Sequence, residues 1–278
     1  MDALLRQLRA RLTPAFGKGE AEALLRIIFF HLKGWTPTDM AIHDDSDVSP
    51  FIRGEIDGII RRLLDGEPIQ YITGNTRFYG IEMLTRPGVL IPRPETAELV
   101  DIIVAENKAP DLRVLDACTG TGCIACALSR NLLFPQVTAV DFSDAAVALA
   151  TENARKLHCP VHVVKADIFS WEPPEDSLDI LVSNPPYVDE SEKKDMKRNV
   201  LEHEPPEALF VPDEDPLVFY RRLCAIGIRS LAEGGRIYFE INPRHADSLV
   251  QMMKDSGFSD ILIVNDIHGR KRFISATR

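Results

Sequence analysis

At 278 residues the chain is long for one domain and suits one full domain with a small one beside it. Apolar residues make up 45% and charged residues 27%, the balance of a globular protein with a soluble surface. The net charge of −10, nearly all of it beyond residue 90, argues against gripping nucleic acid by neutralising phosphates.

The longest apolar run, Ala23 to Leu32, is interrupted by Arg26 and His31 and is too short for a bilayer. The amino terminus lacks a basic start, apolar core and small-residue cleavage site. A cytoplasmic protein with no membrane partner is expected. Five cysteines, an odd number, read as reduced thiols. Cys118, Cys123 and Cys126 have the C-x4-C-x2-C spacing of plant-type ferredoxins, but the Thr-Gly-Thr-Gly between the first two has a better use. His158 and His162 are separated by Pro160, which breaks the helix that would align them. No metal site is expected.

In chain order, residues 1–66 punctuate as short helices. The first stops at Thr13-Pro14, and the second runs from about Gly19 to Gly34. Thr36-Pro37 and Ser49-Pro50 are N-cap and first-turn signals. Ile52, Ile56, Ile59, Ile60, Leu63 and Leu64 then share one helical face, closed by Gly66. Gln70-Tyr71-Ile72-Thr73-Gly74 and Arg77-Phe78-Tyr79-Gly80-Ile81 read as β-like runs of a hairpin. Ile91-Pro92-Arg93-Pro94-Glu95-Thr96 is a stiff extended strap, after which a helix begins near Glu95.

From Leu112 strands and helices alternate, which implies a parallel sheet with helices on both faces. Strands are expected at 113–116, 137–141, 161–165, 178–183 and 235–240. Helices fall at 122–132, 143–157, after Asp215-Pro216 and from about His245. Final strands near 261–264 and 272–275 are joined by so short a link that they must form an antiparallel edge pair.

Ala117-Cys118-Thr119-Gly120-Thr121-Gly122 lies between the first strand and its helix, where doubly wound sheets bind nucleotides. Gly120 and Gly122 allow close backbone approach and a sharp turn. Asp141, ending the next strand, can accept hydrogen bonds from both ribose hydroxyls. The loop also fits the G-x-G-x-x-A of dinucleotide enzymes, so either S-adenosylmethionine or NAD satisfies it. Asp116 leans toward the former, which has no pyrophosphate to repel an acid.

Asn184-Pro185-Pro186-Tyr187 ends the fourth strand at the same sheet edge. A carboxamide or exocyclic amine nitrogen is a poor nucleophile because its lone pair is delocalised. It must be held in line while its N–H groups are drawn to acceptors, here the Asn184 side-chain oxygen and the Pro185 carbonyl. The prolines fix an extended backbone and cannot donate N–H groups that would compete. Tyr187 offers a flat ring for stacking. Catalysis by positioning and fixed dipoles is expected, with no general base.

This tetrapeptide, with Leu90 to Thr96, Gln70 to Gly74 and Glu204-Pro205-Pro206-Glu207-Ala208-Leu209, resembles the HemK/PrmC family over essentially the whole chain. The resemblance implies a release factor glutamine methyltransferase, acting on N5 of the glutamine in the Gly-Gly-Gln motif of peptide release factors. It implies an α/β fold, a seven-stranded Rossmann-like class I methyltransferase sheet with a small N-terminal helical domain and a β-hairpin linker. The boundaries are 1–68 for a helical substrate-recognition domain, 69–92 for the linker and 93–278 for the catalytic domain.

Carried over by position, S-adenosyl-L-methionine would meet Cys118, Thr119, Gly120, Thr121, Gly122, Asp141, Asp167, Ile168 and Asn184, with Ile168 beside the adenine. Asn184, Pro185 and Tyr187 would be catalytic, and Asn184 to Tyr187, including Pro186, would hold the substrate. Cys118 stands where the family usually has Gly, so the backbone there is expected to take a conformation open to a residue with Cβ. Rival readings are a ribosomal-protein glutamine methyltransferase, an adenine or guanine exocyclic-amine methyltransferase acting on DNA or RNA, and an NAD-dependent oxidoreductase. The acidic balance argues against nucleic acid as the direct substrate.

Overall fold

Thr36 and Ser49 act as the helix-start signals they resemble. In the computed structural model, which describes residues 2–278, Thr36 forms a capping box with Asp39 at the start of a helix. Ser49 accepts the N–H of Ile52 at 3.3 Å. These caps belong to the first of two units, which comprises residues up to Gly74 together with Arg198–His203. Its helices are α1 (Asp2–Lys33), α2 (Pro37–Ile42), α3 (Pro50–Leu64) and α4 (Ile69–Thr73).

The break inside α1 falls at Gly17, at φ 75° and ψ 165°, rather than at Pro14. Pro14 weakens the helix, but the chain turns at the nearest residue free of a Cβ penalty. Leu8, Leu12, Leu25, Ile28, Ile56 and Ile60 pack into this unit's own core. Leu64 is 46% exposed and lies off the face that Ile56, Ile59, Ile60 and Leu63 bury.

Residues 70–74 are not a strand. They form most of α4, in which the Thr73 hydroxyl donates to the Ile69 carbonyl at 3.0 Å and Gly74 caps the turn in the left-handed region. The hairpin pairs β1 (Asn75–Phe78) with β2 (Ile81–Leu84) in antiparallel register, Phe78 opposite Ile81. Tyr79 and Gly80 between them both have positive φ, the requirement of a two-residue turn that follows strand twist. Period-2 alternation did not reveal that the run 77–81 folds back on itself.

The second unit holds this hairpin, the strap and a seven-stranded sheet. After α5 (Thr96–Glu106) come β3 (Arg113–Ala117), α6 (Cys123–Asn131), β4 (Gln136–Asp141), α7 (Asp144–Lys156), β5 (Val161–Lys165) and β6 (Leu178–Ser183). A two-residue strand, β7 (Val188–Asp189), precedes α8 (Arg198–His203) and pairs with β8 (Phe210–Val211). Then follow α9 (Val218–Ser230), β9 (Leu231–Glu240), α10 (Ala246–Asp255), β10 (Ser259–Asn265) and β11 (Lys271–Thr277).

The sheet order is β10-β11-β9-β6-β3-β4-β5. Strands β5, β4, β3, β6 and β9 are parallel, and β11 runs antiparallel to both β9 and the edge strand β10. This is the seven-stranded, mostly parallel sheet with an antiparallel edge pair that was expected. Neighbouring strand residues feed opposite faces: Val182 joins the layer under α5, α6 and α7, and Leu181 the layer under α9 and α10. All five cysteines are free, with Cys123 and Cys126 buried on the inner side of α6. Among the described residues no helix is long and apolar enough to cross a membrane.

Asn153 on α7 joins the hairpin to the loop after β3. Its side chain accepts the Leu84 N–H at 2.8 Å and donates to the Leu84 carbonyl at 3.1 Å and the Thr121 carbonyl at 2.9 Å. It is fully buried, so water does not replace these bonds. Asn153→Ala should lower unfolding free energy by roughly 3 kcal/mol in urea titration, because buried backbone groups lose their partners. A loss near zero would show that the tie carries no stability.

Candidate active site

Four strands of the sheet's parallel region end at one edge, and each end presents a polar side chain. Asp116 lies one residue before the end of β3, Asp141 ends β4, Asn184 follows β6 and Glu240 ends β9. Ligands of open parallel sheets bind at this carboxyl edge. A cavity of ≈ 380 Å³ opens there, within the size range of cofactor sites. The loop Cys118 to Thr121 forms one wall, the strap 88–93 with Thr96 a second, and Asp167 to Phe169 a third.

The loop is held by the two acids beneath it. Asp141 accepts the Gly120 N–H at 2.9 Å and the Ser143 N–H at 3.0 Å. Burial raises its pKa, and these hydrogen bonds oppose the rise. Asp116 accepts from the Thr119 hydroxyl at 2.6 Å and the Ala125 N–H at 3.0 Å, and its other oxygen is buried with no partner among the described residues. Burial pushes its carboxyl up to about 7 against the pull of these two bonds. Asp116 thus serves the loop from inside.

Two expectations for the loop need correction. Cys118 sits at φ 59°, in the left-handed region that favours glycine and strains a residue with Cβ, and not in the extended or right-handed region that such residues prefer. Gly122 is not on the cavity wall. A Cβ there would come within 3.1 Å of the Ala150 Cβ, so its lack of a side chain serves the approach of α6 to α7.

Ile168 is buried and lines the cavity beside Asp167, whose carboxylate accepts the Phe169 N–H at 2.9 Å. Aromatic surface comes from Phe142, Phe169, Phe210 and Phe219, four residues outside the motifs read from the sequence. Phe142 is 54% exposed and Phe169 45%, and Phe169 meets Phe219 edge-on at 5.2 Å. Phe142 directly follows Asp141, so a ring beside the ribose-binding acid was a usable signal.

The wall's electrostatics bear on the ligand. Its charged residues are Asp141, Asp167, Glu207 and Arg93, and Arg93 is engaged by Glu204 at 2.7 Å. Glu204 is buried and also accepts the Ile91 N–H at 3.2 Å, which pins the strap in place. A cavity with three acids and one neutralised cation repels a pyrophosphate and suits a ligand with cationic groups and a ribose. The residues present therefore fit S-adenosylmethionine better than NAD.

At the tetrapeptide, Asn184 and Pro186 line the cavity, and Pro185 and Tyr187 are not among its lining residues. The Asn184 Nδ2 donates to the Thr96 hydroxyl oxygen at 3.3 Å. Among the described residues, neither the Asn184 Oδ1 nor the Pro185 carbonyl receives a hydrogen bond. Tyr187, expected to stack on a substrate, packs its ring into the layer under α9 and donates its hydroxyl to Glu240 at 2.9 Å. Its pKa is held well above that of a free phenol by burial and by Glu240. Thr96 and Glu240 were not singled out in the sequence. A carboxylate closing a strand at the same edge as Asp141 was the sign that could have revealed Glu240.

The family model for the methyltransferase small domain matches residues 96–210, and that for the PrmC N-terminal domain matches residues 3–74. A release factor glutamine methyltransferase of Bacteroides thetaiotaomicron is 43% identical over 280 residues, covering 100% of both chains. One from Flavobacterium psychrophilum is 37% identical and covers 95% of this chain and 94% of that protein. One from Streptococcus pneumoniae is 37% identical, covering 85% of this chain and 84% of that protein.

Asp141→Ala should weaken binding of S-adenosylhomocysteine by roughly tenfold to a hundredfold in calorimetry, the worth of hydrogen bonds to a charged acceptor. Unchanged affinity would place the ribose elsewhere.

Proposed function

The chain belongs to the family of release factor glutamine methyltransferases, and from this we propose that it methylates N5 of the glutamine in the Gly-Gly-Gln motif of peptide chain release factors. The observation that carries the reading is the committed Asn184 amide. One N–H of its nitrogen is held by Thr96, and its oxygen receives no hydrogen bond among the described residues, so that oxygen is available to a substrate N–H at the cavity.

S-adenosylmethionine, when bound, supplies a methyl group on a positively charged sulfur that keeps the bonding pair as the methyl departs. The chain's part is to hold the amide nitrogen in line with that group. Asn184 Oδ1 takes one N–H and the Pro185 carbonyl the other, so the nitrogen cannot rotate and its electron density rises. Neither oxygen is a base. The nitrogen sheds a proton only after bond formation has made it acidic, so no histidine is needed. Pro185 and Pro186 keep the backbone extended and add no competing donor. Acceptors already aimed at the nitrogen need no reorganisation during transfer.

Pro186, Phe210 and the strap residues Val89 to Arg93 form the apolar and stiff surroundings of the clamp. The acidic cavity wall and the net charge of −10 support a protein substrate over nucleic acid. In this reading the helical unit serves substrate recognition.

Transfer of labelled methyl to a purified release factor, beside a copy with the Gly-Gly-Gln glutamine changed to alanine, tests the reading. Label is expected on the first alone, and Asn184→Ala should abolish most of it while cofactor affinity stays within severalfold. Label on both release factors, or on neither, would remove the proposed target. Normal turnover by Asn184→Ala would remove the mechanism.

A further inference from the structure

Both ends of the Asn-Pro-Pro-Tyr segment lead to one buried carboxylate. Glu240 is 1% exposed, and its Oε1 accepts the Tyr187 hydroxyl at 2.9 Å. Its Oε2 accepts the Thr96 hydroxyl at 2.6 Å. Thr96 is itself buried at the start of α5, and its oxygen receives the Asn184 Nδ2. The direction of this chain is fixed by counting protons. Thr96 has one hydroxyl hydrogen, and Glu240 takes it. The Thr96 oxygen is then only an acceptor toward Asn184, and only the nitrogen of that amide can approach it.

We propose that Glu240, acting through Thr96, is the positioning residue that decides which atom of the Asn184 amide faces the substrate. The inference rests on the amide-methylation reading above. The terminal torsion of an asparagine is roughly two-fold, so packing alone distinguishes its two orientations poorly. With no acceptor behind it, the Thr96 hydroxyl is free to donate to Asn184 Oδ1. The amide then turns over and presents its NH2 to the cavity. Two donors would face the two donors of the substrate amide, and the clamp would repel what it must hold. The second oxygen of Glu240 holds Tyr187 at the far end, so a single carboxylate fixes the residues on both sides of the prolines. Burial raises the pKa of Glu240, and the bonds from Thr96 and Tyr187, with the charge of Arg272 anchored on Asp266 at 3.3 Å, oppose the rise.

Glu240→Gln tests this at constant volume. A carboxamide has one acceptor oxygen, so one of the two hydroxyls must lose its acceptor. Thr96→Val removes the relay and keeps the shape, and Thr96→Ser keeps the hydroxyl. Glu240→Gln and Thr96→Val should each lower kcat on the release factor by roughly tenfold to a hundredfold, the scale of a small misplacement. Cofactor Kd should stay near that of the wild type, the melting temperature should fall by the few degrees that a lost buried hydrogen bond costs, and Thr96→Ser should recover most of both losses.

The Asn184 side-chain amide resonances in a ¹⁵N spectrum should move in Glu240→Gln and Thr96→Val and stay in place in Thr96→Ser. That readout needs no turnover, so it separates failure of the relay from failure of the substrate assignment, which wild-type protein unable to label the release factor would show. Wild-type kcat in Glu240→Gln would overturn the proposal. So would unmoved Asn184 resonances in Thr96→Val, or a loss of kcat in either variant matched by a loss of cofactor affinity.

Discussion

A carboxamide can meet another carboxamide with an acceptor or with a donor, and only the first arrangement lets Asn184 draw on a glutamine N–H. The chemistry at the sheet edge depends on that polarity. A side-chain amide has nearly the same shape in both orientations, so sterics cannot choose between them. Hydrogen bonds from behind must choose, and they must be dry to be decisive, since water would accept or donate with equal ease. The burial of Thr96 and Glu240 supplies that dryness. Burial raises the pKa of Glu240, and the bonds from Thr96 and Tyr187 with the charge of Arg272 offset part of the rise.

The cofactor side works by a different principle. There the backbone carries the load: Gly120 offers its N–H to Asp141, and Asp116 secures the loop from beneath through Thr119 and Ala125. Acids gathered at one sheet edge would repel one another if all were charged and unpaired. Each instead accepts backbone or hydroxyl donors, and Asp116 lies deep enough that its pKa approaches neutrality. The opposite wall is held by a buried carboxylate too, since Glu204 clasps both Arg93 and the backbone of Ile91. The cavity is therefore bounded by segments far apart in sequence, each tied down by an acid that serves as an acceptor.

The strand–helix alternation after Leu112 was legible because each parallel strand is a short apolar run bounded by turn residues. The limits of β6, 178–183, were read directly. The antiparallel edge pair followed from the brevity of the link between 264 and 272. Residues 70–81 were misread for a definite reason. Alternating apolar residues in a short segment suit a strand or a single helical turn equally, and left-handed Tyr79 gives no sign in the sequence that the chain reverses there. In the site, residues adjacent in sequence such as Asn184 to Tyr187 were visible as a motif. Thr96 and Glu240 were not, because their pairing spans 144 residues and depends on α5 docking beside β9. Cys118 defied its own residue type, since surrounding structure outweighs the cost of a Cβ at positive φ.

The most direct measurement is a crystal structure of the protein with S-adenosylhomocysteine and a peptide containing Gly-Gly-Gln. The glutamine amide nitrogen should lie within hydrogen-bond distance of both Asn184 Oδ1 and the Pro185 carbonyl, with Asn184 Nδ2 still turned to Thr96. A glutamine bound elsewhere, or an Asn184 whose nitrogen faces the peptide, would contradict the clamp as described.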